Sequence, residues 1–154
     1  MNTITFRAAT AEDIPLICRF RKTQLLGNGA PAADVESLDP YLTSFFEENF
    51  RRGTIHQIFA MDGDRAVGTG GVLFFAYPPS HVNKSGQIAY ITNMFTDPDY
   101  RRQGIAGTIL GMLEEEARSR GVTQAKLGAT KWGKSLYEKA GYTEDDLSDL
   151  VKKL

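Results

Sequence analysis

Apolar positions recur along this chain at two periods, and each change of period marks an element. Residues 3–8 alternate (Ile4, Phe6, Ala8) and predict a strand. Thr10 with Asp13 three residues on has the form of a capping box, and Pro15 suits a helix start. The run that follows puts Ile14, Ile17, Cys18, Arg21 and Leu25 near one helical face, until Gly27-Asn28-Gly29-Ala30-Pro31 stops it. Residues 32–40 read as a loop. Residues 41–50 read as a second helix carrying Leu42, Phe45, Phe46 and Phe50, ended by Arg51-Arg52-Gly53. The period then drops to two. Ile55, Gln57, Phe59 and Met61 predict a strand, Asp62-Gly63-Asp64 a hairpin turn, and Arg65–Ala76 the returning strand. Gly68, Gly70 and Gly71 within it imply a bulge or a close backbone approach. A long loop (residues 77–86) precedes a strand at Gln87–Thr96. A helix then runs from Gly104 to Arg120-Gly121, with Ile105, Ile109, Leu113 and Ala117 as its apolar stripe. A short strand (residues 124–129) and a short helix (131–139, closed by Ala140-Gly141) follow. For the tail, residues 149–154, a strand is the expectation, against a helical propensity over 145–153.

The junction of the fourth predicted strand, Gln87–Thr96, with the long helix carries the chemistry. It reads Asp97-Pro98-Asp99-Tyr100-Arg101-Arg102-Gln103-Gly104-Ile105-Ala106-Gly107. A strand that turns abruptly into a helix leaves several N–H groups unpaired, and the macrodipole adds positive potential there. Gly104 and Gly107 have no Cβ and Ala106 little more, so an anion can approach those N–H groups; Arg101 and Arg102 add two charges. These residues form an anion cradle fit for a phosphate or pyrophosphate. It is not a Walker loop, which needs Gly-Lys-Ser/Thr, nor a Gly-x-Gly-x-x-Gly dinucleotide fingerprint. An ordinary Gly-rich strand-to-helix turn is the bland alternative.

The run Arg101-x-x-Gly104-x-Ala106 resembles the Gln/Arg-x-x-Gly-x-Gly/Ala signature of the GNAT superfamily of N-acetyltransferases, and Leu136-Tyr137-Glu138-Lys139-Ala140-Gly141-Tyr142 resembles that family's Leu-Tyr-Glu-Lys-x-Gly-Phe segment. The motifs cover the last two thirds of the chain; the first third matches in element order alone. The resemblance implies an α/β (α+β) fold: a mixed, mostly antiparallel sheet, splayed between two parallel strands and flanked by helices, over residues 1–154 as one domain. It implies acetyl-CoA as co-substrate and acetyl transfer to a primary amine of a small molecule or protein by direct attack on the thioester. The pyrophosphate would sit on Arg101, Arg102, Gln103, Gly104, Ile105, Ala106, Gly107 and Thr108, and the pantetheine arm along the strand edge at Met94, Phe95 and Thr96. Tyr137 would protonate the leaving thiolate, and Asn93 would lie beside the acetyl group; a core aromatic is the other reading of Tyr137. Where the family often has asparagine and alanine, seven and four residues before the tyrosine, this chain has Thr130 and Gly133. A threonine hydroxyl can still bond the pantetheine.

Composition narrows the rest. The 154 residues suffice for one sizeable core, and 42% hydrophobic with 24% charged residues is ordinary for a soluble protein. A net charge of −1 offers no global attraction to nucleic acid or an anionic membrane, so neither is expected as a partner. One cysteine excludes an internal disulfide, and no Cys/His cluster has metal-ligand spacing. Cys18 reads as a small core hydrophobe. No signal-peptide pattern or membrane-length apolar run occurs, so the expectation is a cytoplasmic enzyme, monomeric or a homodimer. A general base is not singled out: Tyr90, Glu47, Glu48, Asp97, His56, His81 and a water chain all remain, with Asp97 better suited to ordering the turn at Pro98. The competing class is a non-catalytic acyl-CoA-binding or regulatory module that keeps the cradle without turnover.

Overall fold

Five strands line up in chain order in the computed structural model, which describes residues 3–130, 133–145 and 149–154. They are β1 (Ile4–Ala8), β2 (Ile55–Asp62), β3 (Arg65–Ala76), β4 (Gln87–Thr96) and β5 (Ala125–Leu127). Every pairing is antiparallel except β4 with β5, which is parallel. A parallel pair needs a crossover, and α4 (Ile105–Ser119) supplies it. The other helices are α1 (Ile14–Gly27), α2 (Ala32–Glu36), α3 (Asp39–Arg52) and α5 (Lys134–Lys139). The fold is the mixed, mostly antiparallel sheet with flanking helices that the motifs imply.

The alternation along the strands divides the core between the two sheet faces. Ile58, Val67, Val72, Ala89 and Ile91 pack against Ile105, Ile109, Leu110 and Leu113 of α4. Ile55 and Phe59 point the other way, onto Ile14, Ile17 and Cys18 of α1 and Phe46 of α3. Cys18 is thus a core residue. The first helix begins through a 3₁₀ turn whose Asp13 carboxylate accepts the Thr10 N–H at 2.8 Å and both guanidinium donors of Arg7 at 2.8 and 2.9 Å. That is the reach-back half of the expected capping box.

Three glycines of β3 admit close neighbours. A Cβ on Gly68 would stand 3.0 Å from Ile105 Cγ2, one on Gly70 2.7 Å from Ile109 Cγ2, and one on Gly71 would meet the Gln57 amide. Gly68 and Gly70 therefore let α4 lie directly on the sheet, and Gly71 makes room for Gln57 on the other face. β3 bulges at Val67, beside Gly68, where Ala60 pairs with Gly68 and Met61 with Ala66, and a second bulge lies on the facing strand β4: Gly71 pairs with Thr92 and Thr69 with Phe95, so Asn93 and Met94 together face Gly70.

Three expectations are corrected. Residues 32–36, expected in a loop, form α2 because Val35 is buried and anchors one turn. The i,i+4 spacing of Glu114 with Arg118 and of Glu116 with Arg120 predicts two ion pairs along α4, and only the second forms, at 3.2 Å; Arg118 turns to Glu115 at 3.3 Å, and Glu114 accepts the Tyr142 hydroxyl at 2.9 Å. Residues 149–154, expected as a strand, carry no regular structure, and Leu150, Val151 and Leu154 are exposed. A strand exists only against a partner, and none of these residues pairs with β5. Residues 131–132 of the expected short helix lie outside the described residues, as do residues 146–148 of the alternative tail helix.

Candidate functional site

The sheet opens where β4 and β5 part. Their ladder covers Ala89–Ala125, Tyr90–Lys126 and Ile91–Leu127, and beyond it β4 continues through Thr92–Thr96 on β3 alone. The bulge falls inside this unpaired length. Asn93 holds φ +56 there, a left-handed backbone that asparagine tolerates better than most residues. It is buried, and its amide makes no hydrogen bond with any described residue. Opposite the bulge, the Gln24 side chain of α1 donates to the Met94 carbonyl at 2.9 Å. The Thr96 carbonyl accepts Arg101 Nε at 3.1 Å. Two of the edge carbonyls thus already hold a side-chain donor each, leaving one lone pair on each and the N–H groups of the edge for an amide-rich ligand. Phe95 turns its ring away, against Phe20 at 5.5 Å between centroids.

The edge leads into the cradle through a tight turn. Asp97 Oδ1 accepts the Asp99 N–H at 3.0 Å and Oδ2 takes Arg65 at 2.8 Å, so Asp97 orders the turn as its sequence suggests. Arg102 at φ +62 and Gly104 at φ +79 then bring successive N–H groups round to one side. Such an alternation forms a concave nest for an anion. The first intrahelical bond of α4 goes from the Thr108 N–H to the Gly104 carbonyl at 3.0 Å, and the Thr108 hydroxyl caps the same oxygen at 2.9 Å. The N–H groups of Gln103, Gly104, Ile105, Ala106 and Gly107 have no acceptor among the described residues, and no acidic side chain stands in the first turn. Arg101, Arg102 and Gln103 are exposed around them, Ala106 is partly covered, and Ile105 is buried beneath as an anchor. Space above Gly104 is clear to 4 Å.

Tyr137 approaches from α5. Its ring is half-buried against the α4 side of the core and meets Tyr142 edge-on, with centroids 6.0 Å apart. Burial raises its phenol above the ordinary tyrosine value, so the proton stays on oxygen through neutral and mildly alkaline pH. Tyr142 is raised further, first by burial and then by its bond to Glu114. Gly133 is where the family often has alanine, and its reason is local: a Cβ there would stand 2.9 Å from the Tyr137 ring. Thr130 is exposed, and its carbonyl accepts the Gly133 N–H at 3.1 Å.

The candidate bases disperse. Glu48 is held by Arg51 and Arg52 at 2.7 and 2.6 Å. Glu47 borders a hollow between α1 and α3 shared with Cys18, Lys22, Asp39 and Thr43. His56 faces α4, 4.0 Å from Glu116, and burial lowers its pKa more than Glu116 restores it. His81 is exposed in the β3–β4 loop. Tyr90 alone lies on the strand that borders the opening. Sequence reasoning missed Gln24, since a glutamine on an amphipathic helix carries no signal until its carbonyl partner is known. It also missed the pair in which Gln57 donates to Thr69 at 2.8 Å, both residues buried.

A parallel splay, a bulge beside it and a nest at the next helix start now stand together. The Acetyltransferase (GNAT) family model matches residues 23–142. The chain belongs to the GNAT acetyltransferase family. Among solved structures, a predicted acetyltransferase from Clostridium acetobutylicum, crystallised with acetyl-CoA, superposes with a TM-score of 0.91 at 32% identity, covering 97% of this chain and 96% of that one. A GCN5-related N-acetyltransferase from Ralstonia eutropha superposes with a TM-score of 0.90 at 23% identity over 99% of both chains. The enzyme AAC(6')-Iy, bound to a bisubstrate analogue of CoA and acetylneamine, shares the fold at a TM-score of 0.78 and 15% identity, again over 99% of both chains. The search of curated proteins returned no match. No helix among the described residues is long and apolar enough to cross a membrane, and no group of three or more metal-ligating side chains occurs among them.

Proposed function

We propose that this GNAT protein is an N-acetyltransferase that moves the acetyl group of acetyl-CoA to a primary amine by direct attack on the thioester. The observation that supports it is the nest: unpaired N–H groups from Gln103 to Gly107, open space over Gly104, and no competing carboxylate in the first turn of α4. Those groups fit a pyrophosphate, with Arg101 and Arg102 as flanking charges. The C. acetobutylicum relative, which carries acetyl-CoA, supports the same ligand. Bound there, acetyl-CoA supplies a thioester, an acyl group activated toward amines.

The chain's own residues then position and move protons. The unpaired length of β4 holds the pantetheine amides through its free N–H groups, and the Asn93–Met94 bulge places backbone dipoles at the opening, where negative charge develops on the carbonyl oxygen. The amine nitrogen bonds to the acyl carbon as the carbon–sulfur bond breaks. The amine's surplus proton leaves to water, and Tyr137 gives its phenolic proton to the departing thiolate and regains one from solvent. Burial keeps that phenol protonated and ready.

Gly104→Glu tests the reading. The added carboxylate enters the anion position, and CoA affinity should fall at least about 10²-fold, equivalent to losing one or two charge-assisted hydrogen bonds. Gly104→Ala shares the backbone strain of φ +79, roughly 1–2 kcal/mol, without the charge, and so isolates the electrostatic part. Dephospho-CoA should still bind the parent. Calorimetry showing unchanged CoA affinity in folded Gly104→Glu protein overturns the cradle assignment. Release of free thiol from acetyl-CoA with an amine panel separates turnover from mere acyl-CoA binding.

A further inference from the structure

All ten arginines of the chain are described, and nine are exposed; Arg21 on α1 is the exception. The exposed ones at 7, 51, 52, 65, 118 and 120 pair with carboxylates, whereas Arg21 pairs with none among the described residues. Its Nη1 donates to Gln24 Oε1 at 3.1 Å, and the other end of that amide donates to the Met94 carbonyl in the bulge. The guanidinium is therefore tied, through one glutamine, to the place where the sheet opens. Its electrostatic neighbour is the Tyr90 phenol on β4, and burial pulls its pKa below the ordinary arginine value. It remains a cation regardless, with donors unspent. The floor beneath is polar as well. Tyr90 and Thr92 share a sheet face with Gln57, whose Oε1 is buried without a partner.

A half-buried cation with no counter-ion is costly to keep unless something else neutralises it. On this side of the sheet, across from α4, no described residue does so. We infer that Arg21 anchors an anionic group of the acceptor, and that the acceptor is an amine whose skeleton also carries a carboxylate. Charge balance selects carboxylate over phosphate: one guanidinium matches a monoanion, whereas a phosphate dianion would leave a surplus negative charge with no second cation beside it among the described residues. The guanidinium fork also matches a carboxylate edge geometrically. This rests on the acetyltransferase reading above and gives it a substrate class.

The test compares amino acids, their decarboxylated amines and amino-alkyl phosphates as acceptors, with thiol release as the readout. The parent should favour the amino acids over their decarboxylated counterparts. In Arg21→Gln that kcat/KM ratio should fall by about 30-fold or more, mainly through KM, as expected when one partner of a buried charge pair is removed. Arg21→Lys, which keeps the charge but not the fork, should fall between the two, and it serves if Arg21→Gln folds poorly. Preference for decarboxylated amines or for phosphates, or a ratio unmoved in the variants, overturns the inference while leaving acetyl transfer standing. No thiol release with any amine removes acetyl transfer itself, and the inference with it.

Discussion

Gly70→Ala should destabilise the protein even though alanine normally favours a strand over glycine. Gly70 has an ordinary backbone conformation, so the substitution on chain entropy alone would stabilise by about 0.4–1 kcal/mol. The packing works against it. The new methyl would stand 2.7 Å from Ile109 Cγ2, where about 3.5–4.0 Å is the favourable carbon–carbon distance, and the Met94 sulfur fills the same space. Met94 can yield, being unbranched and flexible. Ile109 cannot: it is fully buried on α4, and its β-branch fixes its rotamer. Overpacking of this kind costs about 1–3 kcal/mol, which exceeds the entropic gain over most of that range. For a chain of this size the melting temperature moves roughly 2–4 °C per kcal/mol, so a mid-range net cost of about 1–2 kcal/mol lowers it by about 2–8 °C. Thermal unfolding followed by circular dichroism measures it, and urea unfolding gives the free energy. Met94→Ala in the same chain should relieve part of the cost, a coupling of about 0.5 kcal/mol or more in a double-mutant cycle. A Gly70→Ala protein at least as stable as the parent, or a cycle with no coupling, would refute the claim that this glycine exists to seat the bulge against α4.

Three further outcomes test the chemistry and the core. Tyr137→Phe keeps the ring against Tyr142, so stability and CoA affinity should hold while the single-turnover rate falls about 10²-fold; a rate equal to the parent would make Tyr137 a packing residue. With burial holding its phenol protonated, the parent's rate should show no loss from Tyr137 ionisation up to about pH 10, and a descending limb near pH 8 that vanishes in Tyr137→Phe would contradict the assignment. His56 has a folded-state pKa below its unfolded value of 6.5, so it is held neutral in the fold and its contribution is complete above that pH. As pH falls below 6.5 the unfolded state takes the proton first and stability drops; His56→Gln should show a shallower loss between pH 7 and 5.5, and identical slopes would dismiss the burial effect.

Periodicity alone determined the strands β2, β3 and β4 and the amphipathic α4, because each buries one face and its apolar residues repeat at the matching spacing. The strand Gln87–Thr96 and the helix after Gly104 lie where the pattern put them. The cradle was legible for a related reason. It is built of consecutive backbone N–H groups, and short local runs of glycine and arginine specify those without help from elsewhere in the chain. Asp97 as a turn residue belongs to the same class.

What crosses between elements was decided by tertiary structure. Three glycines in β3 announced a close approach, but only packing showed α4 above Gly68 and Gly70, the Gln57 amide beside Gly71, and the bulge on the facing strand. Gln24 gained its meaning from a carbonyl 70 residues away, and Arg21 from having no carboxylate partner among the described residues. Helical i,i+4 spacing offered Arg118 to Glu114, yet Tyr142 from beyond α5 claimed that carboxylate first. The tail 149–154 had strand-forming residues but pairs with no strand, and backbone hydrogen bonds between strands cannot be satisfied by one segment alone. Local sequence fixes which conformations a segment prefers; the partner groups that complete a site come from distant segments, and those only the assembled fold brings within hydrogen-bonding distance.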